Sequence, residues 1–242
     1  MQIVFQDPYA SLNPRRSIAQ SLDDPLRVLG TGDAVARRAR AVELLRQVGL
    51  GEEYLTRYPH ELSGGQRQRV AIARALAPGP ELIVCDEAVS ALDVSIQAQI
   101  VNLLKDIQAA TGVAYLFITH NLELVRRIAD RIVVMYLGEI VESGEASALR
   151  ERLVHPYSRA LFAAAPRVRR GPQAGGPLPL ASRLISGEVP SPIDPPTGCR
   201  FHPRCPHSQG VCAERAPALE DIAGRSVRCH FAAEFGAKDG TR

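Results

Sequence analysis

The chain has 242 residues, of which 45% are hydrophobic and 23% are charged, and its formal net charge is +3. This is the composition of an ordinary globular protein with enough residues to bury a substantial core. The charge is too small to favour nucleic acid as a partner, and no apolar run approaches the roughly eighteen residues that a transmembrane helix needs.

The chain begins with a predicted strand and a loop. Residues 1–5 indicate the end of a strand. Gln6 then begins a loop, which turn-forming residues continue as far as Pro14. Taken alone, Gln6 is a polar side chain in a surface turn.

Residues 33–50 predict an amphipathic helix. Apolar residues recur there at helical spacing with arginines between them, and Gly49 and Gly51 end the pattern. The apolar positions are Val35, Ala39, Val42, Leu45 and Val48.

A second helix is predicted over residues 66–77, and glycines at Gly64 and Gly65 stand in its first turn. Each glycine costs about 1 kcal/mol relative to alanine in a helix. Ser63 and Gln66 fit a capping box, and a helix start offers free N–H groups to an anion. The stretch therefore predicts a phosphate site, although a well-capped surface helix explains it equally well when it is taken alone.

The apolar run over residues 82–85 ends in Asp86 and Glu87. Such a run predicts a strand buried on both faces of a parallel sheet, and ligands gather beyond the carboxyl ends of such strands. Because side chains alternate along a strand, we expect one acid to hold Mg²⁺ and the other to orient a water.

Helices and strands then alternate, which predicts a parallel-sheet α/β layer. The elements are a helix over 94–110, a buried strand over 113–119 before His120, a helix over 121–130 and a hairpin of 132–137 with 139–141, turned at Gly138. Two helical stretches follow and reach residue 165. Prolines and glycines over residues 171–196 predict an extended linker.

The cysteine-bearing tail, residues 198–231, holds four of the five cysteines, which are Cys199, Cys205, Cys212 and Cys229. Their spacing is not the paired C-x₂-C pattern of a zinc ribbon. Four thiols this close suit a soft metal or an iron–sulfur cluster, and four free thiols in a loop-rich tail are an equally good interpretation. Cys85, inside the predicted strand, is interpreted as a core residue.

Five of these stretches together resemble the motifs of the ATP-binding subunits of ABC transporters. Residues 62–66 resemble the signature, 82–87 the Walker B strand, 90–93 the D-loop and 4–8 the Q-loop, and His120 stands where the family has its switch histidine. The resemblance implies an α/β fold. The implied parts are an incomplete P-loop NTPase (ABC ATPase) domain over residues 1–145, with a helical subdomain over about 8–77, and a small irregular C-terminal extension over 146–242.

The resemblance also implies roles for individual residues, with ATP and Mg²⁺ as cofactors. Asp86 and Gln6 would hold Mg²⁺, Glu87 would polarise the attacking water, and His120 would sense the γ-phosphate. Gln6 would also take part in catalysis by reaching the attacking water, and it would touch the transmembrane partner. Across a dimer, Asp93 would couple the two sites, and the γ-phosphate of ATP on the opposite subunit would be bound by Ser63, Gly64, Gly65 and Gln66.

One family motif, the phosphate loop G-x-x-x-x-G-K-[ST], does not occur in this sequence. The two lysines, Lys105 and Lys238, stand in other contexts. In the family that loop precedes the Q-loop, so we expect Met1 to be an internal methionine of a longer protein. Without that loop, the chain should not bind ATP alone. The alternative hypothesis is a catalytically deficient or regulatory partner that lends only its signature in trans.

Residues 187–206 resemble the C-terminal extension of oligopeptide and dipeptide importer ATPases, and residues 5–14 resemble the Q-loop of the same branch. Some members of that branch carry a [4Fe–4S] cluster on four extension cysteines, which implies this role for the four tail cysteines. The branch implies peptide import, with nickel or another small solute as the alternative cargo.

The implied partners are a second ATP-binding subunit, two transmembrane permease subunits and, indirectly, a peptide-binding protein outside the membrane, with no nucleic acid. Met1 is followed by no basic, signal-like segment. We therefore expect a cytoplasmic protein that reaches the inner face of the plasma membrane through the permease.

Overall fold

The structure, a computed structural model, describes residues 1–164, 187–222 and 224–237. It divides into two compact units, Met1–Asn121 and Leu122–Arg242. The sequence motifs predict a different boundary, between an ATPase domain that ends at residue 145 and a C-terminal extension. That boundary stays a prediction. Within the described ranges, no helix is both long enough and apolar enough to cross a membrane.

The first unit is built on a parallel three-stranded sheet. Its strands are β1 (Gln2–Val4), β2 (Leu82–Asp86) and β3 (Ala114–Ile118), and β2 lies in the middle. The register places Cys85 opposite both Val4 and Phe117. The parallel α/β layer predicted from the sequence is confirmed in this unit.

Helices supply the rest of the first unit. They are α1 (Pro8–Ser11), α2 (Ile18–Val28), α3 (Ala34–Gln47), α4 (Gly64–Leu76) and α5 (Val94–Thr111), with 3₁₀ turns at Glu52–Thr56 and Pro59–Glu61. Helices α2, α3 and α4 contact one another and bury leucines between them. Among the fully buried side chains are Leu22, Leu26, Leu44, Leu45 and Ile72.

Two of these helices were not predicted from the sequence. The short helix α1 lies in the stretch predicted as loop. Helix α2 contains Pro25, which obscures its helical pattern. Its start nevertheless carried a readable signal, because the Ser17 hydroxyl accepts the Gln20 N–H at 3.3 Å and Gln20 Oε1 accepts the Ser17 N–H at 2.9 Å.

The parallel sheet is covered on one face in the described part of the chain. Ile83 and Cys85 are fully buried, whereas Leu116 and Ile118 of β3 are 51% and 49% exposed. Ile3, paired in register with Val84, is exposed on the same side as Leu116. The prediction of a buried strand over residues 113–119 was therefore wrong, because β3 is an edge strand with one uncovered face.

The second unit is built on an antiparallel sheet in the order β4-β5-β7-β6. Its elements are α6 (Leu122–Ile128), β4 (Arg131–Tyr136), β5 (Glu139–Glu145), α7 (Ala146–Glu151), α8 (Pro156–Ala164), a 3₁₀ turn (His202–Arg204), α9 (Gly210–Glu214), β6 (Glu220–Ile222), β7 (Arg225–Val227) and α10 (Ala232–Ala237). The predicted hairpin is confirmed. Leu137 and Gly138 turn it, and both have positive φ, 45° and 81°.

The tail adds strands to this hairpin, and no pattern in the sequence predicts them. Glu142 and Gly144 of β5 lie opposite Val227 and Arg225 of β7. Strands of three residues are too short to show a periodicity. Of the predicted linker, residues 187–196 contain neither helix nor strand, and residues 171–186 lie outside the described residues.

Substitutions on the two faces of the parallel sheet should differ in cost. We expect Ile83→Ala to lower the free energy of unfolding by about 2–5 kcal/mol, because it opens a cavity under a fully buried side chain. Leu116→Ala should cost less than about 1 kcal/mol, since that side chain is half-exposed. Urea denaturation followed by circular dichroism measures both, and equal losses would contradict a one-sided sheet.

Candidate functional site

Glu87 and His120 meet at the carboxyl edge of the parallel sheet. Glu87 follows β2 and His120 follows β3, and the parallel pairing of these strands places both residues at one edge. His120 Nδ1 lies 3.0 Å from Glu87 Oε1. The Glu87 side chain is 29% exposed and that of His120 is 74% exposed, so a ligand can reach both.

The backbone of Glu87 is held from both sides. Its φ is 48°, a left-handed conformation that costs a non-glycine residue about 1–3 kcal/mol. Its N–H donates to the Ile118 carbonyl at 2.9 Å, and its carbonyl accepts the Ser90 N–H and hydroxyl, both at 2.9 Å. These bonds fix the position from which the Glu87 carboxylate leaves the sheet.

Asp86 and Gln6 belong to the same edge. Asp86 is the last residue of β2 and is half-buried, while Gln6 is exposed two residues beyond β1, the other neighbour of β2. Across the described ranges, no group of three or more His, Cys, Asp or Glu side chains is placed to hold a metal ion. One carboxylate nevertheless suits a nucleotide-bound Mg²⁺, which takes most of its ligands from phosphates and waters.

The capping box at the start of α4 is confirmed. The Ser63 hydroxyl accepts the Gln66 N–H at 3.3 Å, and Gln66 Oε1 accepts the Ser63 N–H at 2.9 Å. The Gln66 side-chain amide also donates to the Tyr54 hydroxyl at 2.9 Å. In an α-helix, the first N–H groups, here those of Gly64 and Gly65, have no partner within the helix.

The two glycines of this turn have different steric surroundings. A Cβ on Gly65 would lie 2.8 Å from Cγ2 of Ile96 in α5, so packing alone requires glycine there. A Cβ on Gly64 would lie 3.5 Å from Cδ2 of Leu92, an ordinary contact. Of the two, Gly64 is the one that packing does not explain. Our interpretation of Gly64 is still that its bare backbone leaves room for a phosphate.

Asp93 stands immediately before α5. It occupies the N-cap position, but its side chain makes no capping hydrogen bond and is exposed. The neighbouring Leu92 carbonyl accepts the Gln97 side-chain amide at 3.0 Å. The turn before α5 thus meets the start of α4 at Leu92 and leaves the Asp93 carboxylate accessible.

The tail fold brings its four cysteines into one neighbourhood. The Cys199 N–H donates to the Cys212 carbonyl at 2.7 Å, and Gly198, with φ 66°, allows the two chain segments to approach closely. Burial raises the pKa of Cys199, of Cys205 and, to about 11, of Cys229, and the neighbouring cysteines raise these pKa values further.

The placement of the tail cysteines does not support the expected [4Fe–4S] cluster. They do not form a metal-holding group among the described residues. Cys85 is fully buried and its pKa is raised to about 12 by burial, which confirms it as a core residue.

Because burial raises the pKa of Cys229 to about 11, its alkylation should be slow at pH 8. The thiolate fraction at that pH is on the order of 10² smaller than for an ordinary thiol of pKa near 8.5. Iodoacetamide labelling followed by mass spectrometry should show a rate at Cys229 that rises between pH 8 and 10. A rate at pH 8 equal to that of a free thiol would contradict this, and complete protection released by a chelator would instead reveal a bound metal.

Alanine should have opposite effects at the two glycines of α4. Gly65→Ala should lower the free energy of unfolding by about 1–3 kcal/mol because of the clash with Ile96. Adding Ile96→Ala to the Gly65→Ala variant should recover part of that loss. Gly64→Ala should raise it by up to about 1 kcal/mol through helix propensity. Urea denaturation of the three variants tests this, and equal effects at both positions would contradict the assigned surroundings.

Two family models match the sequence. The model described as ABC transporter matches residues 1–90, which contain Gln6, the start of α4 and the end of β2. The model described as oligopeptide/dipeptide transporter, C-terminal region, matches residues 141–212, from β5 into the tail.

Relatives match almost the whole chain. A Brucella abortus relative is 50% identical over 231 residues, covering 96% of this chain and 67% of the relative. The di/tripeptide transport ATP-binding protein DppF of Pseudomonas aeruginosa is 47% identical, with 97% of this chain and 71% of that protein covered. For the oligopeptide transport ATP-binding protein AppF of Bacillus subtilis the values are 45%, 96% and 69%. The chain spans about two thirds of their length.

Solved structures agree with the sequence matches. A dimeric ATP-binding cassette in a post-hydrolysis state, bound to ADP and Pi, has a TM-score of 0.52 and 33% identity over 60% of this chain and 63% of its own. The cbiO1 protein of Clostridium perfringens has a TM-score of 0.56 and 28% identity over 62% and 59%. The chain therefore belongs to the ATP-hydrolysing ABC transporter family, in the branch that carries the oligopeptide/dipeptide transporter C-terminal region.

Proposed function

We propose that the chain is the ATP-hydrolysing subunit that powers the import of peptides through a membrane permease. The observation that carries the proposal is the 3.0 Å contact between His120 and Glu87, at the sheet edge where parallel α/β proteins bind ligands. Relatives named for di/tripeptide and oligopeptide transport support peptides as the cargo.

In this proposal Glu87 acts directly on the attacking water, and His120 acts through its contact with Glu87. Bound ATP and Mg²⁺ would supply the phosphoryl group and compensate its charge. The Glu87 carboxylate accepts a hydrogen bond from the water and orients it, while His120 holds that carboxylate and faces the γ-phosphate. Asp86 and Gln6 are the proposed ligands of Mg²⁺.

A second subunit completes the site in the proposal. The N–H groups of Gly64 and Gly65 and the side chains of Ser63 and Gln66 bind the γ-phosphate of the nucleotide held by the partner subunit. Asp93, exposed beside this turn, couples the two sites. The pair of ATP-binding subunits works at the cytoplasmic face of the membrane, with two permease subunits and an external peptide-binding protein.

A second candidate function is that the chain supplies only the start of α4 to a partner's nucleotide. Within these 242 residues, neither lysine stands in a phosphate-loop motif. Titration with a fluorescent ATP analogue tests the second candidate. Tight, Mg²⁺-dependent binding by the chain alone would exclude the second candidate.

Peptide uptake by cells tests the main proposal. In cells that lack the chromosomal copy, the unaltered gene should restore uptake of a labelled dipeptide, and Glu87→Gln should reduce it to background, at least about a hundredfold for a lost catalytic base. Glu81→Gln is the matched control, because Glu81 is exposed just before β2. Retained dipeptide uptake in Glu87→Gln would contradict the proposal. A loss of nickel uptake alone would identify the other cargo.

A further inference from the structure

Glu142 is a fully buried acid outside the candidate site. It lies in β5 with 0% of its surface exposed. Its Oε1 accepts the Val154 N–H at 2.8 Å, and its Oε2 accepts the His155 N–H at 3.1 Å. These two amides immediately precede α8, which begins at Pro156. The carboxylate therefore joins β5 to the start of α8.

The position requires two acceptors on one side chain. Burial raises the pKa of Glu142, and the Val154 N–H, the Ser158 hydroxyl, the His155 N–H and the Arg225 guanidinium act in the opposite direction. Glutamine would replace one accepting oxygen with a donor amide that faces an N–H group. A carboxylate is thus the side chain that matches both donors.

The segment held by Glu142 contacts the tail through its side chains. His155 is 1% exposed, burial lowers its pKa to about 4, and its Nδ1 accepts the Tyr157 N–H at 3.1 Å. The His155 ring centroid lies 5.8 Å from that of Phe201. Phe201, itself 1% exposed, lies 5.4 Å from the ring of Tyr157 and 5.2 Å from that of Tyr136.

The aromatic cluster is adjacent to tail cysteines. Cys199 and Cys205 flank Phe201 in sequence and pack, partly buried, against the core that contains it. A second connection runs through β7, which pairs with β5 at Glu142 itself. There Arg225 donates to the Arg152 carbonyl, and Arg152 donates to the Phe235 carbonyl of α10 at 2.8 Å.

We propose that Glu142 is the anchor that couples the tail to the β4–β5 hairpin, acting through the His155–Tyr157 turn and Phe201. The tail is then an integral part of the second unit, and its cysteines are positioned by this coupling. The family-model match over residues 141–212 begins at the strand of the anchor and extends into the tail, so it spans both ends of the coupling.

Hydrogen exchange resolves the anchor residue by residue. In Glu142→Gln, the amides of Val154 and His155 should exchange about tenfold faster, as expected for one lost hydrogen bond to a charged group. The rate of trypsin cleavage after Arg200 and Arg204, which lie on either side of Phe201, should also rise about tenfold. The matched control is Glu145→Gln in the same strand, whose exposed carboxylate pairs with exposed Arg131, and it should change neither value more than about twofold.

A double-mutant cycle distinguishes coupling from general destabilisation. Phe201→Leu alone should also raise tail cleavage, and the effects of Glu142→Gln and Phe201→Leu should not add if both act on one coupled body. Unchanged exchange at Val154 and His155 in Glu142→Gln, or additive effects in the cycle, would overturn the proposal. If Glu142→Gln fails to fold, Phe201→Leu alone decides, because the coupling requires it to accelerate exchange at His155 more than in strand β4.

Discussion

The parallel pairing of β2 with β3 is the interaction on which the candidate site depends. The ladder continues one residue beyond β2, where the Glu87 N–H donates to the Ile118 carbonyl. This bond brings Glu87 within 3.0 Å of a histidine that is 33 residues away in the chain. A slip of one residue in the register would turn the side chains of one strand to the other face, and the contact would be lost.

The features of the site and of the fold that could be predicted from the sequence are those encoded by neighbouring residues. The Ser63–Gln66 box, the apolar run before Asp86 and the turn at Gly138 each identify themselves within a few residues. Exposure could not be predicted in this way, because it depends on what packs against an element. The apolar run of β3 looks the same whether one face or both are covered, and only the structure shows Leu116 half-exposed. Helix α2 is different, since the capping box at its start was readable in the sequence, whereas Pro25 obscured the helical pattern that follows.

The tail shows why the second unit was harder to predict. Its strands have three residues each, and β7 exists as a strand because β5, far away in the chain, offers an edge. The cysteine positions were plain in the sequence, but the burial that raises their pKa values comes from this long-range assembly. Phe201 is the clearest residue missed, since a single aromatic residue in a proline-rich stretch gives no sign that it will be fully buried.

Glu87 and Glu142 show how the two units place one residue type in two different surroundings. Both follow or lie in strands, and both hold a hydrogen-bonding partner near 3 Å. Glu87 contacts an exposed side chain and remains partly accessible, so its carboxylate retains acceptor sites for a water or ligand. Both oxygens of Glu142 accept main-chain N–H groups and none of its surface is exposed, so no ligand can approach. What distinguishes the acid proposed for catalysis from the one proposed as an anchor is therefore access to the carboxylate, a property that neither residue's sequence neighbours determine.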